Sequence, residues 1–431
     1  MLGLAFSFLS LIPNAMLRPI GTEENIALIS GDLKIESGFK ALMKSAPSEK
    51  ILLKALWANE MWSFENGGIC RRKDKGYQAQ TTWADRYRYI ELNPLEEIIR
   101  ERSSIDLEKR VQNLSPTEKY DLLMGNLDAP LTRFFWNYQK ELNDKKELFS
   151  WRGVCEGSAA ASAFWRGGEP IRSLRIPSKI VGLKISFSAL DLKALAAIAF
   201  SQFQAEIPFL GLKNLNPKPD KGQANEFLSP ESFSLNPATL FLAVLNLGAI
   251  HGLPLIMDKE PLQPVWSVPI QSYRYRILGS IDTKRDIYSH WRHAKATEII
   301  EVEMKLEYAD VNRRGIREEG RVAAPLESLK MKFDLELNCQ DPEYPNDCKI
   351  LGGEWREDPH PDFLYALFDE KIPWSEPETR PSFKKGLWSM QSNSDELQEV
   401  PHAWIEPARE AGTKGQILWS VVSRLVEVSS K

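Results

Sequence analysis

The sequence is poor in histidine and cysteine and has no long hydrophobic run. Its 431 residues include five histidines and four cysteines. No apolar stretch reaches the roughly 20 residues that a membrane helix needs, so we expect no integral membrane segment. Lysine and arginine number 55 against 59 aspartates and glutamates, which gives no electrostatic reason to expect a nucleic-acid partner. The remaining composition is typical of one large or two ordinary globular domains.

The cysteines do not form a metal-binding pattern. Cys339 and Cys348 bracket the turn-rich loop CQDPEYPNDC, but no second pair of cysteines or histidines has the spacing of zinc ligands. We therefore expect no metal and no cofactor. If the chain is exported, these two cysteines are the best candidates for a disulfide that closes the loop. Two free thiols are the alternative.

The N-terminal residues 1–16, MLGLAFSFLSLIPNAM, carry an apolar run that ends in a small residue, Ala15. This pattern resembles the hydrophobic region and cleavage end of a secretory signal, although a positive charge at its start is missing. We expect residues 1–20 to be a signal peptide and the chain to be secreted or periplasmic. A buried N-terminal segment, in a cytoplasmic protein, is the alternative.

Several segments predict helices in the first part of the chain. Residues 115–126, SPTEKYDLLMGN, open with a capping box. Residues 188–204 repeat that spacing with Ser188 and Asp191, and an apolar face follows. Residues 236–252 begin with asparagine and proline and have an almost wholly apolar body. The last segment therefore predicts a helix buried in the core.

The second part of the chain has the pattern of strands. Residues 297–310 and 328–337 alternate strictly between apolar and polar side chains. This period of two predicts antiparallel strands with one face toward water. Further strands are predicted at 253–258, 265–278 and 349–355. Helices that precede antiparallel strands favour an α+β fold over alternating βαβ units.

One short segment, WRGVCEGSAAASAF at 151–164, has the features of a reactive cysteine. Cys155 stands just before an alanine-rich run that should be helical. A thiol at a helix N-terminus feels the positive end of the helix dipole, which favours the thiolate. Gly153 and Gly157 would leave room for a substrate backbone and for N–H groups that bind an oxyanion. A papain-like thiol enzyme has this local pattern; a small buried core residue is the alternative.

The same segment resembles the nucleophile motif W-x-G-x-C-H-G-W-A of the transglutaminase elicitor family. Other family motifs have counterparts in the same order at 81–90, 114–126, 191–200, 236–249, 264–273 and 350–368. The resemblance implies a papain-like, transglutaminase-like α+β core. In it, an N-terminal helical half with Cys155 at a helix start packs on a C-terminal antiparallel sheet. It also implies a bacterial type of protein with a possible signal at 1–20, an N-terminal region of unknown role at 21–80, the family domain at 80–370 and an extension at 371–431.

The resemblance implies a protein-glutamine γ-glutamyltransferase, whose partner is a protein or peptide. Its cysteine attacks a glutamine carboxamide, ammonia leaves, and a lysine amine takes the acyl group. However, the family's histidine falls on Phe241, its asparagine on Ser267, and Glu156 replaces the histidine after the nucleophile. A missing general base predicts an impaired transferase. A pseudoenzyme that uses the cleft for binding, and a cysteine amide hydrolase, are the alternatives.

Few residues could replace the missing base. Asp258 ends a predicted strand and is a weak candidate for an active-site acid, with a turn residue as the alternative. His290 and His293 lie three apart in HWRH and are candidates on a possible helix face, although plain solvated side chains are expected there. We interpret Asp191 as a helix cap and His360, which precedes a proline, as part of a structural turn.

Overall fold

The structure is a computed structural model. It describes residues 26, 30, 32–100, 104–165, 167–180, 182–201, 209–211, 235–259, 264–282, 292–312, 319–356, 360–367, 388 and 397–431. The predicted signal peptide at 1–20 and His290 lie outside the described residues.

The helices and strands follow the predicted order, with helices concentrated before residue 201. The described helices are α1 (Phe39–Ser45), α2 (Lys75–Gln78), α3 (Trp83–Leu92), α4 (Leu95–Arg100), α5 (Ser104–Gln112), α6 (Pro116–Leu123), α7 (Pro130–Asp144), α8 (Cys155–Phe164), α9 (Ala189–Ser201), α10 (Pro237–Ala243), α11 (Ile405–Thr413) and α12 (Trp419–Ser429). The described strands are β1 (Glu49–Ile51), β2 (Leu174–Pro177), β3 (Lys184–Phe187), β4 (Leu210–Gly211), β5 (Leu255–Asp258), β6 (Ser267–Ser280), β7 (Glu298–Ala309), β8 (Leu326–Asn338), β9 (Lys349–Trp355) and β10 (Phe363–Ala366). None of the described helices is long and apolar enough to cross a membrane.

The chain forms two compact units, each assembled from separate segments. The first, called the sheet unit here, comprises Met1–Leu56, Gln204–Asp310 and Pro325–Lys371. The second, the helical unit, comprises Trp57–Phe203, Val311–Ala324 and Ile372–Lys431. The predicted α+β class is confirmed, because the large antiparallel sheet and the helix that Cys155 begins are both present. The domain boundaries at 20, 80 and 370 stay predictions.

Capping boxes begin two helices of the helical unit, as the sequence predicts. Ser115 and Glu118 exchange the two capping hydrogen bonds at the start of α6. At the start of α9, the Asp191 N–H donates to Ser188 Oγ at 3.2 Å, and the Ser188 N–H donates to Asp191 Oδ2 at 2.9 Å. Each pair satisfies N–H groups that the first helical turn leaves without an intrahelical partner. Since every residue of α9 is buried, its polar side chains need partners of their own.

The sheet unit contains an antiparallel sheet in the order β4-β10-β5-β6-β7-β8-β9, with β1 paired to β6. The predicted apolar helix packs on this sheet as α10, and the Asn236 side chain accepts from the Ala238 N–H. Beyond α10 the helix widens into a π-helix, Val244–Ile250. Asn246 explains the change, because its side-chain amide donates to the Leu242 carbonyl oxygen, the acceptor that its own N–H would use in an α-helix.

The prediction that one face of these strands meets water is wrong for the second half of β8. Asp334 and Glu336 lie on the polar face of this strand, yet both are fully buried, as is Glu354 on β9. The guanidinium of Arg292 forms ion pairs with all three carboxylates. Strict alternation identified the strand, but it carries no information on a distant arginine that covers the polar face.

Candidate active site

Cys155 is the first residue of helix α8, as the sequence predicts. Its side chain is 5% exposed. Residue 154 caps the helix without a side-chain hydrogen bond, and in the first turn the Glu156 N–H donates to the Glu156 carboxyl. The helix dipole favours negative charge at the cysteine sulfur and on a substrate oxygen beside it.

The two glycines that flank Cys155 serve packing within the helical unit. A Cβ atom at Gly153 would lie 2.4 Å from the Met61 carbonyl oxygen. A Cβ atom at Gly157 would lie 2.0 Å from the Ala197 carbonyl oxygen and 2.3 Å from Ser201 Oγ. Both distances are far inside van der Waals contact, so only glycine fits. The sequence suggested that these glycines make room for a substrate; the structure accounts for both by close chain packing.

Glu156 is the polar neighbour of the thiol. The Cys155 thiol donates to Glu156 Oε2 at 3.6 Å. Ser201, on α9, also forms a hydrogen bond with the Glu156 carboxyl, while its own hydroxyl donates to the Ala197 carbonyl oxygen at 2.9 Å. The hydrogen bond with Ser201 favours the ionised form of Glu156, as the bond from the thiol does.

Burial has the largest effect on the Glu156 carboxyl and raises its pKa above the ordinary value. The hydrogen bond from its own backbone N–H, those with Cys155 and Ser201, and the charge of Arg152 act in the opposite direction and offset this only in part. The charges of Arg152 and Glu156 also act on Tyr138. Burial raises the pKa of Tyr138 to about 12, although Arg152 acts in the opposite direction. The tyrosine is therefore a neutral hydroxyl at ordinary pH.

Asp191 has the structural role that the sequence favours for it. Besides capping α9, it forms ion pairs with Lys119 at 2.6 Å and with Lys73 at 3.3 Å. Burial alone would raise the pKa of this carboxyl, but the charges of Lys119 and Lys73 hold it below its ordinary value. A carboxylate that is stabilised by two lysines is a poor proton acceptor. These contacts confirm the interpretation as a cap.

In the sheet unit, two of the candidate residues lie together. Asp258 on β5 is directly opposite Ser267 on β6, a relation that brings Cβ atoms to about 4.5–5.5 Å. Both side chains are buried, and Asp258 Oδ1 accepts from the Trp266 N–H at 2.8 Å. Asp258 and Ser267, two of the candidate residues from the sequence, are therefore buried polar residues at opposite positions of neighbouring strands.

Phe241 lies on the other face of this sheet. Met257 and Val268, the next residues of the two strands, belong to the hydrophobic core together with Phe241. Because side chains alternate along a strand, Asp258 and Ser267 face away from that core. The Phe241 ring packs edge-on against Tyr275 at 5.3 Å and makes a similar contact with Phe333 at 6.0 Å. The structure thus brings Ser267 to Asp258 but does not bring Phe241 to either.

The described histidines of the sheet unit each have a local contact. His251 Nε2 lies 2.9 Å from the Lys34 carbonyl oxygen. The buried His360 ring stacks on Trp355 with 4.8 Å between ring centres. The pKa of His293 is lowered by partial burial and then by the charge of a neighbouring lysine. The interpretations of His293 as a solvated side chain and of His360 as part of a structural turn stay predictions.

The helical unit contributes little imidazole chemistry. Within its residue ranges the sequence has one histidine, His402. That side chain is exposed, on the short 3-10 turn His402–Trp404. The helical unit by itself therefore supplies no buried imidazole for Cys155.

Cys339 and Cys348 form a disulfide, which closes the loop that the sequence singles out. Among the described residues, the one cluster of three side chains with metal-ligand atoms is Glu298 with these two cysteines. Because both sulfurs are bonded to each other, this cluster offers no thiolate to a metal.

A comparison with protein families matches residues 138–394 to the transglutaminase elicitor family. The match spans more than half of the chain. This protein belongs to the transglutaminase elicitor family. Among solved structures, the GP42 transglutaminase from Phytophthora sojae is similar at 15% identity and a TM-score of 0.44, over 77% of this chain and 86% of that chain. A comparison with curated proteins gives no match.

By the motif resemblance, this transglutaminase elicitor protein is expected to keep the family's cysteine and to have phenylalanine, serine and glutamate at three other motif positions. Sequence reasoning missed that Glu156 is hydrogen-bonded to the thiol and noted the glutamate only as a replacement for the family's histidine. Its adjacency to Cys155 was visible in the sequence. The partner that orients it, Ser201, lies far along the chain on α9, and no local pattern identifies it.

Proposed function

We propose that this protein is a thiol acyltransferase in which Cys155 attacks the side-chain carboxamide of a glutamine in a protein or peptide. The observation that carries the proposal is the thiol at the start of α8, buried and hydrogen-bonded to a carboxyl group. Membership of the transglutaminase elicitor family supports the same chemistry.

The proposed reaction balances in two steps. The cysteine sulfur bonds to the amide carbon, the C–N bond breaks, and ammonia leaves with the proton that it needs. A primary amine then bonds to the thioester carbon, the C–S bond breaks, and the thiol is restored. The first turn of α8 would stabilise the oxyanion in both steps through backbone N–H groups.

Incorporation of a biotinylated primary amine into a glutamine peptide, together with ammonia release, tests this proposal. We expect slow turnover by the parent protein and none by Cys155→Ala. Cys70→Ala is the matched control, since Cys70 is the other buried cysteine of the helical unit that is not in a disulfide. Equal turnover by the parent and Cys155→Ala would refute a cysteine mechanism.

A second candidate function is ligand binding without catalysis. Phe241 favours it, because a phenyl ring stands where the family motif has histidine, and that ring is buried in the core. This reading predicts no thioester on Cys155 after incubation with glutamine peptides, while a peptide still changes the protein's melting temperature. Mass spectrometry of the intact protein distinguishes the two functions.

We also propose export to an oxidising compartment. The Cys339–Cys348 disulfide supports this location, because such bonds are rare in the reducing cytosol. Expression of the whole chain in a bacterium, followed by fractionation and alkylation without reductant, tests it. Recovery outside the cytoplasm with two alkylated cysteines agrees with export, and cytoplasmic recovery with four contradicts it.

A further inference from the structure

We propose that Glu156 is a catalytic residue that carries the proton between the Cys155 thiol and the amide nitrogen, the task that a histidine performs in papain-like enzymes. This inference rests on the proposed function, since it concerns the same reaction. The helical unit supplies no buried imidazole, whereas the Glu156 carboxyl already contacts the nucleophile.

The geometry supplies the contact that proton transfer requires. Glu156 Oε2 accepts the hydrogen bond of the Cys155 thiol at 3.6 Å, within the range for a sulfur donor. Ser201 orients the carboxyl from α9. The absence of a side chain at Gly157 lets α8 and α9 approach closely enough for this contact, because a Cβ atom there would collide with Ser201. The proton acceptor is therefore held in place by two packed helices.

The electrostatics move the pKa of Glu156 toward that of the thiol. An ordinary carboxyl, with a pKa near 4.3, is too weak a base for a thiol near 8.5. Burial raises the pKa of Glu156, which narrows this gap. The groups that face it are Cys155, Ser201 from α9, Arg152 from the preceding loop and Tyr138 from α7. Arg152 is partly neutralised by Glu147 at 3.2 Å, so its charge does not restore an ordinary carboxylate.

The proton balance is complete without another base. The ionised Glu156 takes the thiol proton as sulfur bonds to the amide carbon. The protonated Glu156 then donates this proton to the nitrogen as the C–N bond breaks and ammonia leaves. In the second step the carboxylate accepts a proton from the incoming amine as the new C–N bond forms. It returns this proton to the departing sulfur, which regenerates both groups.

Removal of Glu156 should have opposite effects on the reactions of Cys155, depending on whether Glu156 acts only through its negative charge or carries a proton. A carboxylate beside a thiol disfavours the thiolate at equilibrium, so its removal should leave alkylation of Cys155 equal or faster. A proton carrier is needed when the leaving group must be protonated, as an amide nitrogen must. It is not needed for a nitrophenyl ester, whose phenolate leaves without a proton.

The test compares Glu156→Gln with the parent protein on both kinds of substrate. We expect amine incorporation into a glutamine peptide to fall about 100-fold or more, the usual size of general acid–base catalysis. Acylation of Cys155 by a nitrophenyl ester should change less than about tenfold, and iodoacetamide should alkylate Cys155 at the same rate or faster. Glu156→Asp, which keeps an ionisable group, should retain more amide activity than Glu156→Gln.

Glu96→Gln is the matched control, because Glu96 is an exposed glutamate of the helical unit that pairs with Arg100. It should stay within about twofold of the parent. Equal losses on amide and ester would mean that Glu156 is only structural, and full amide activity in Glu156→Gln would overturn the proposal. If the parent protein forms no thioester with either substrate, the proposed acyl transfer itself fails, and the role of Glu156 fails with it.

Discussion

Asp258 and Ser267 are directly opposite each other on neighbouring strands, on the face of the sheet that points away from Phe241. The sequence makes Asp258, Ser267 and Phe241 candidate catalytic positions. In the structure, the first two are buried polar residues on one face of the sheet, and Phe241 is a core residue on the other. A base and the residue that orients it must be within hydrogen-bond reach of each other. A histidine at position 241 would not be within reach of Ser267, because the sheet lies between them.

Replacing Phe241 with histidine should not create transglutaminase activity. The new imidazole would lie among Tyr275 and Phe333, where a polar ring lacks partners, so we expect a loss of about 3 kcal/mol in the free energy of unfolding. Phe241→Leu, which keeps an apolar side chain, is the control and should lose less. Thermal unfolding and amine incorporation are the measurements, and a gain of turnover in Phe241→His would contradict the assignment to the core.

Gly157→Ala should separate α8 from α9. The added methyl group would meet the Ala197 carbonyl oxygen at 2.0 Å, so we expect a loss of about 3 kcal/mol or more. Gly168→Ala is the matched control, since its nearest neighbour would be at 3.5 Å and the change should be below about 1 kcal/mol. Chemical denaturation measures both. Equal stability of the two variants would be inconsistent with the close packing of these helices.

Glu156→Gln should stabilise the fold at neutral pH. The pKa of Glu156 is raised in the folded state by burial. Its contribution to stability is therefore complete below the unfolded pKa, near 4.3, and is lost as the pH rises through the folded pKa. The glutamine variant should melt above the parent at pH 8 and at the same temperature near pH 4. A variant that melts lower at pH 8 would mean that the ionised carboxylate is favoured.

Asp191→Asn should give the opposite pH dependence. The pKa of Asp191 is held down by the lysine charges despite burial, so its contribution is present above about pH 4 and is lost as the pH falls through the folded pKa. At pH 7 we expect a loss of about 3–5 kcal/mol, because Lys119 stays buried with its main partner neutralised. The difference should shrink below pH 4. Asp144→Asn, in an exposed pair with Lys140, should change stability by less than about 0.5 kcal/mol.

Arg292→Met should destabilise the sheet unit by about 3–5 kcal/mol, because Asp334, Glu336 and Glu354 would lose the cation that they share. Arg276→Met is the control, since its pair with Glu303 is exposed and is worth about 1 kcal/mol or less. Urea denaturation of both variants checks the two expected losses.

The sequence by itself determined the local structure. The capping boxes at Ser115 and Ser188, the helix start at Cys155 and the alternating strands β7 and β8 all follow from contacts between residues a few positions apart. Such patterns are legible because helix and strand periods are properties of the backbone. The family motifs are local as well, which is why the resemblance was sufficient to identify the family.

Only the tertiary structure decided which distant side chains meet. The hydrogen bonds of Glu156 with Ser201, the ion pair of Lys119 with Asp191 and the pairing of Asp258 with Ser267 depend on helix packing or strand register. The burial of Asp334 depends on its ion pair with Arg292. The alternation of apolar and polar residues along β8 does not encode that ion pair. Burial and charge set the proton affinity of each group, and both are sums over neighbours that the linear sequence does not bring together.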